Sequence, residues 1–189
     1  MAAGVESPRD LPGDEPVNAP LPAFSEVYSE NVAFVWRSLR RLGISERDLD
    51  DVCQEVFVIV HRKLATFHPT AMIRTWLFGI ARRVAADHRK RAHVRRETLA
   101  VPSTLDTSAA VTDTEPAEMR RARAVLDEIL DELDDKKRAV FVLFELEGMS
   151  MSQIAMSVEC PLQTAYSRLA AARKQVESAV RRRQLRGEL

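Results

Sequence analysis

Residues 148–176, GMSMSQIAMSVECPLQTAYSRLAAARKQV, constrain the fold more than any other stretch. Gly148 suits the left-handed residue just past a helix end, and Ser150 followed three residues later by Gln153 is a capping box that opens another helix. The spacing predicts a short helix from about Met151 to Val158, a turn through Glu159 and Cys160, and a third helix in which Pro161 occupies a first-turn position that needs no N–H. Two helices joined so tightly make a helix-turn-helix. Leu162, Ala165, Leu169, Ala172 and Val176 repeat at three-then-four spacing and form the apolar stripe of the third helix. Its opposite face carries Gln163, Thr164, Ser167, Ala170, Ala171 and Lys174, flanked by Tyr166, Arg173 and Arg168. Short polar side chains with basic flanks suit a helix lying in a DNA major groove, where the backbone approaches closely and cations reach phosphates. A solvated face on a helical bundle is the plainer alternative.

Ser150, Ile154, Ala155, Pro161, Thr164, Ser167, Arg168, Leu169, Ala172 and Arg173 match a pattern that reads roughly S-x-x-E-I-A, a tight turn, then P-x-G-T-V-x-S-R-L-x-R-A-R. On these residues the segment resembles the C-terminal domain of a bacterial sigma-70 family sigma factor, of the small extracytoplasmic-function (ECF) group. Glu159 stands where a turn glycine is usual, Gln163 replaces a glycine, Ala165 a valine and Ala171 a basic residue. The resemblance implies contact with an upstream duplex element by Gln163, Thr164, Tyr166, Ser167, Arg168, Ala171, Arg173 and Lys174.

The N-terminal half carries a second set of signals. Phe24, Val27, Tyr28, Val32, Val35, Trp36, Leu39 and Leu42 share a broad apolar face, and Gly43 closes that helix. Ser45 is placed to cap the next, which is predicted to run to about Phe67 and to bury Leu49, Val52, Cys53, Val56, Val60 and Leu64. The exposed side of its first turns is acidic, with Asp48, Asp51 and Glu55 beside Gln54. Acids at a helix start also serve the helix dipole and solubility. After a break at His68 and Pro69, a third helix is predicted from Met72 to about Glu97, with Ile73, Trp76, Leu77, Ile80, Val84 and His88 inward. In its second half Arg82, Arg83, Arg89, Lys90, Arg91, Arg95 and Arg96 stand against Asp87 and Glu97. The whole chain has zero formal net charge, so positive charge is concentrated on one helix, the footprint of a phosphate track.

Both stretches match the same family. Asp48 to Phe67 resembles the ECF region that docks on the polymerase clamp helices, through its D-x-x-Q-E core at Asp51, Gln54 and Glu55; the resemblance implies polymerase contact by these three and by Asp48. Trp76, Leu77, Ile80, Ala81 and Arg82 match the W-L-x-x-I-A-R pattern of the segment that binds the melted promoter element. That resemblance assigns Arg74, Arg82, Arg83, Arg89 and Lys90 to single-strand contact, with Arg83 standing where asparagine usually meets a flipped base. The register of Trp76 favours core packing over stacking on DNA.

The implied fold is all-α: a three-helix domain over residues 23–97 and a four-helix domain over 117–180. A flexible linker at 98–116 joins them, with a Pro-rich disordered tail at 1–22 and a basic tail at 181–189. In the second domain one helix to about Leu133 is expected to bury Met119, Ala122, Val125, Leu126, Ile129 and Leu133. Asp134 then caps a further helix from Asp135 to Glu147. Two widely separated cysteines, Cys53 and Cys160, fit a reducing compartment. His61, His68, His88 and His93 lack metal-ligand spacing, and there is no phosphate-binding Gly-rich loop, so neither cofactor nor enzymatic chemistry is expected. With no apolar run of membrane length and no signal pattern, the expected location is the cytoplasm. The function implied is an ECF-type sigma factor whose partners are core RNA polymerase, promoter DNA and an anti-sigma factor. A homodimeric helix-turn-helix repressor or activator is the competing function; it accounts for the C-terminal half alone.

Overall fold

The computed structural model describes residues 21–67, 72–99 and 116–187. Most of the expected tail and linker, and the break at His68 and Pro69, lie outside these residues. Among them the chain is helical, with no strand: α1 (Phe24–Arg41), α2 (Leu49–Lys63), α3 (Ile73–Leu99), α4 (Ala117–Asp131), α5 (Asp135–Phe141), α6 (Met151–Ser157) and α7 (Leu162–Arg186). Helices α1, α2 and α3 pack on one another; α5 and α6 pack on α7, with α4 alongside, and α3 also packs on α6. One buried apolar cluster therefore runs from Val27 in α1 to Ala172 in α7. No described helix is long and apolar enough to cross a membrane.

Local chemistry sets most helix ends. The Asp134 side chain accepts from the amides of Lys136 and Lys137 at the start of α5. The Ser150 and Gln153 side chains each bond the other's backbone amide at the start of α6, closing the capping box. Gly43, at φ 86°, and Gly148, at φ 65°, take the left-handed backbone that ends α1 and precedes α6. Ser45 does not cap α2: its hydroxyl donates to Asp48 (2.5 Å), and a 3-10 turn, Glu46–Asp48, intervenes before Leu49. α2 likewise stops at Lys63, where a second 3-10 turn takes over. Beyond Phe141, α5 widens into a π turn over Val142–Leu146.

Four residues expected inside lie outside. Tyr28 is 45% exposed, and Met119, Ala122 and Leu162 are exposed as well. Met119 and Ala122 sit on the first turns of α4, which project past the core, and Leu162 is the first residue of α7. Phe34, Phe78, Ala85 and Leu130 are buried although the simple apolar stripes omit them. For Phe78 and its neighbours the reason is a second packed surface: α3 is covered by α1 and α2 on one side and by α6 on the other. There the buried Ser157 hydroxyl donates to the Thr75 carbonyl (3.1 Å), and a side chain at Gly79 would meet the Ser157 carbonyl oxygen at 3.4 Å.

The end of α1 is a further contact between the two helical groups. Arg138, only 4% exposed, pairs with Asp131 and places a guanidinium nitrogen where a Gly43 side chain would begin. Arg89 of α3 donates to the Leu42 carbonyl (2.5 Å) and pairs with Asp135 (2.8 Å). Gly43→Ala then carries two penalties, a left-handed L-residue at about 1–2 kcal/mol and displacement of a buried guanidinium. Gly148 has open space around it, so Gly148→Ala carries the first alone. Urea denaturation is expected to show a larger stability loss for Gly43→Ala than for Gly148→Ala; an equal or smaller loss would contradict the Arg138 contact.

Candidate nucleic-acid and protein-docking surfaces

The first surface is the outer side of α2. Asp51, Gln54, Glu55 and Val58 are all exposed and, at i, i+3, i+4 and i+7, share one face. Glu55 also pairs with Arg91 of α3 (3.3 Å). Asp48 is placed differently: half-buried, it accepts from Ser45 and lies 3.9 Å from His88. Its carboxylate belongs to the turn before α2 more than to the open face. Beside Gln54 and Val58 runs a groove of about 850 Å³ between α1 and α2, lined by Phe24, Tyr28, Trp36, Phe57 and Val58. The Trp36 indole N–H donates to Asp50 at its edge (3.1 Å). Acidic and exposed apolar groups therefore adjoin, an arrangement the α2 pattern alone does not reveal. The signal for it lay in α1, where Phe24, Tyr28, Val32 and Trp36 form a stripe too wide to be covered by two neighbouring helices.

The second surface is the basic half of α3, and its cations are not equivalent. Arg74 stands 5.5 Å over the Phe34 ring, a cation-π contact. Arg82 is half-buried, and its Nε has no hydrogen-bond acceptor among the described residues. Burial, and then the like charges of Arg83 and Arg168, lower its pKa from the ordinary arginine range. Arg83 pairs with Glu159 in the turn before α7, while Arg89 is held by Asp135 and the Leu42 carbonyl. Lys90 is exposed. Trp76 packs its ring 5.2 Å from Phe67 at the edge of the core.

The third surface is the outer face of α7. Gln163, Tyr166, Ser167 and Lys174 are exposed, with Thr164, Arg168 and Ala171 half-buried among them. The Ser167 hydroxyl donates back to the Gln163 carbonyl (2.7 Å), which leaves its oxygen able to accept. Arg173 is engaged on its own domain: it pairs with Glu145 (2.6 Å) and stands 5.2 Å over the Phe144 ring, tying α7 to the π turn. The arginines of the expected basic tail are in α7 itself, where Arg182 and Arg183 pair with Glu132, and Arg183 also with Glu128, on α4.

With this geometry in place, comparison with known proteins is specific. Residues 27–95 match the family described as Sigma-70 region 2, and residues 123–176 match Sigma-70, region 4. The ECF RNA polymerase sigma-E factor of Haemophilus influenzae is 32% identical over 146 residues, covering 72% of this chain and 77% of that protein. The ECF RNA polymerase sigma factor SigE of Mycolicibacterium smegmatis is 30% identical over 171 residues, covering 88% of this chain; the match spans 64% of that relative's length. A solved structure of CnrH in complex with the cytosolic domain of CnrY is similar at a TM-score of 0.61 and 26% identity, over 83% of this chain and 86% of that one.

The two thiols differ sharply. Cys53 is 6% exposed, and burial, helped by the Asp50 charge, pushes its pKa up to about 11, whereas Cys160 is partly exposed in the turn before α7. At pH 8 a thiol reagent is expected to label one cysteine of the native chain rapidly and the second only on unfolding. Rapid labelling of both would contradict the burial of Cys53.

Proposed function

The chain belongs to the sigma-70 family of RNA polymerase sigma factors, in its extracytoplasmic-function group, and on that premise we propose how its surfaces divide the work of initiation. The helices of residues 23–97 dock on core polymerase and hold the melted element, and those of residues 117–180 read the upstream duplex element. The protein carries no catalytic residue of its own; it acts in the cytoplasm by placing the polymerase active centre at a promoter. The observation that carries this reading is the order of three chemically distinct faces: acidic on α2, basic on α3, and small, polar and basic on α7. A homodimeric repressor leaves the first two without a role.

Asp51, Gln54 and Glu55, with the aromatic groove beside them, present carboxylates and an amide to a basic partner helix on the polymerase; opposite charge sets register and speeds encounter. Asp48 supports this face from the turn before it. Arg74, Arg82, Arg83, Arg89 and Lys90 supply the phosphate track for the separated strand, where a basic groove gives affinity without sequence preference. On α7, Gln163, Thr164 and Ser167 are the base-edge candidates, Tyr166 and Ala171 make apolar contact, and Arg168 and Lys174 hold phosphates. Each well-formed polar pair to a base edge is worth about 1–3 kcal/mol of discrimination. Arg173 acts through Glu145 and Phe144 to fix the angle of α7. The CnrH structure is a complex with a second protein's cytosolic domain. By the same logic an anti-sigma factor is the third partner proposed for this chain.

Two experiments test the assignment. Reversing charge at Asp51 and Glu55 to Lys is expected to abolish co-elution with purified core polymerase while the thermal melt stays within about 1 kcal/mol of the parent, because both sites are exposed and the Glu55–Arg91 pair is a surface one. Retained assembly would remove α2 from the docking surface. Lys174→Ala is expected to weaken promoter binding on every sequence and to reduce the slope of log affinity against log salt by about one; an unchanged slope would remove Lys174 from the phosphate contacts.

A further inference from the structure

Glu159 sits at φ 53° in the turn between α6 and α7, the left-handed region that an L-residue occupies at a cost of about 1–2 kcal/mol. The turn geometry asks for glycine. A glutamate kept there needs a reason, and its carboxylate has a partner: Arg83, on the basic half of α3 in the other helical group. Both residues stand where the sequence departs from the pattern it otherwise follows, and the two departures meet each other. Each side chain is about half exposed, so the ion pair alone is a weak tie. The packing beneath it is stronger, since the Ser157–Thr75 hydrogen bond is buried and Phe78 and Ile154 are fully enclosed. The Arg89–Asp135 pair fastens another α3 cation to the same group of helices.

Around this turn the charges do not balance. Arg82 feels the like charges of Arg83 and Arg168 against the opposite charge of Asp135, itself paired with Arg89, so the guanidinium groups near this turn outnumber its carboxylates. Such a site accepts a phosphate in place of the carboxylate, and the Arg82 Nε, buried without an acceptor, is a donor still to be satisfied.

We infer that Glu159 is a built-in mimic of the nucleic-acid backbone: with Asp135 of α5 it holds the strand-binding cations of α3 against the helices of the C-terminal group, so that single-strand binding and packing of α3 on α6 exclude each other. This latch rests on the assignment of α3 to the separated strand. It makes the free chain a poor ligand for single-stranded DNA, and it makes strand capture a step that releases α7. The carboxylate is an intramolecular competitor, and removing it raises affinity only where Arg83 is present to be released.

The test is a double-mutant cycle on the full chain, with Glu159→Gln, Arg83→Gln and the pair, read by fluorescence anisotropy of a short labelled single-stranded oligonucleotide. Glu159→Gln keeps the backbone strain and most of the volume while removing the charge. It is expected to tighten strand binding about two- to five-fold, the range set by an exposed ion pair. In the Arg83→Gln background the same change is expected to have no effect. Equal gains in both backgrounds would mean that Glu159 merely repels the strand, and would overturn the latch alone. In the Glu159→Gln background, where the latch is already absent, an Arg83→Gln change that leaves strand affinity unchanged would remove Arg83 from the strand contacts and overturn the latch with it.

Discussion

The burial of α3 from two sides is the constraint on which the rest of this structure depends. Leu77 and Phe78 are adjacent in sequence, so they lie on different sides of the helix, and both are fully enclosed. An amphipathic helix at a domain surface needs one covered face; this one has two, so its cations are confined to the remaining strip and to its ends. The Ser157 hydroxyl bonds the Thr75 carbonyl, and a Cβ at Gly79 would be in van der Waals contact with the Ser157 carbonyl oxygen (3.4 Å), so α3 and α6 pack directly on each other there.

Charge follows from the same arrangement. The chain is neutral overall, yet carboxylates crowd the outer face of α2 while guanidinium groups crowd α3 and α7. Where the two groups of helices meet, acids of one side face cations of the other: Asp127 meets Arg40, Glu147 meets Arg41, Asp135 meets Arg89 and Glu159 meets Arg83. Burial raises the pKa of Asp127 despite its Arg40 partner, in keeping with a half-buried contact. The α2 acids face outward, with Glu55 paired to Arg91, while several cations proposed to meet nucleic acid are paired within the chain itself.

Much of this was legible in the amino-acid sequence, because helix boundaries are written in short-range chemistry. The Ser150–Gln153 box, the Asp134 cap and the glycines at 43 and 148 each specify a local backbone geometry that needs no distant partner. Periodicity also located the α2 face and the α7 face. It failed where one buried stripe per helix was too simple a rule. Phe78 is buried by a contact between helical groups, which a single helix cannot reveal, and Tyr28 is exposed because the stripe of α1 outruns the neighbours available to cover it. The pairing of Arg173 was illegible for another reason: a cation on a polar face looks the same whether or not it pairs with Glu145, 28 residues earlier in another element. Glu159 and Arg83 were each visible as departures from a pattern, but only the fold brings them together. The expected tail and linker fall mostly outside the described residues.

The central claim is that this chain lends core RNA polymerase a choice of start sites that the polymerase lacks alone. Transcription of fragmented genomic DNA by purified core polymerase, with and without the chain, followed by sequencing of the RNA 5′ ends, tests it most directly. The account predicts a discrete set of start sites that appears only with the chain and shares one upstream duplex motif and one downstream melted motif. The same 5′ ends in both reactions would contradict it.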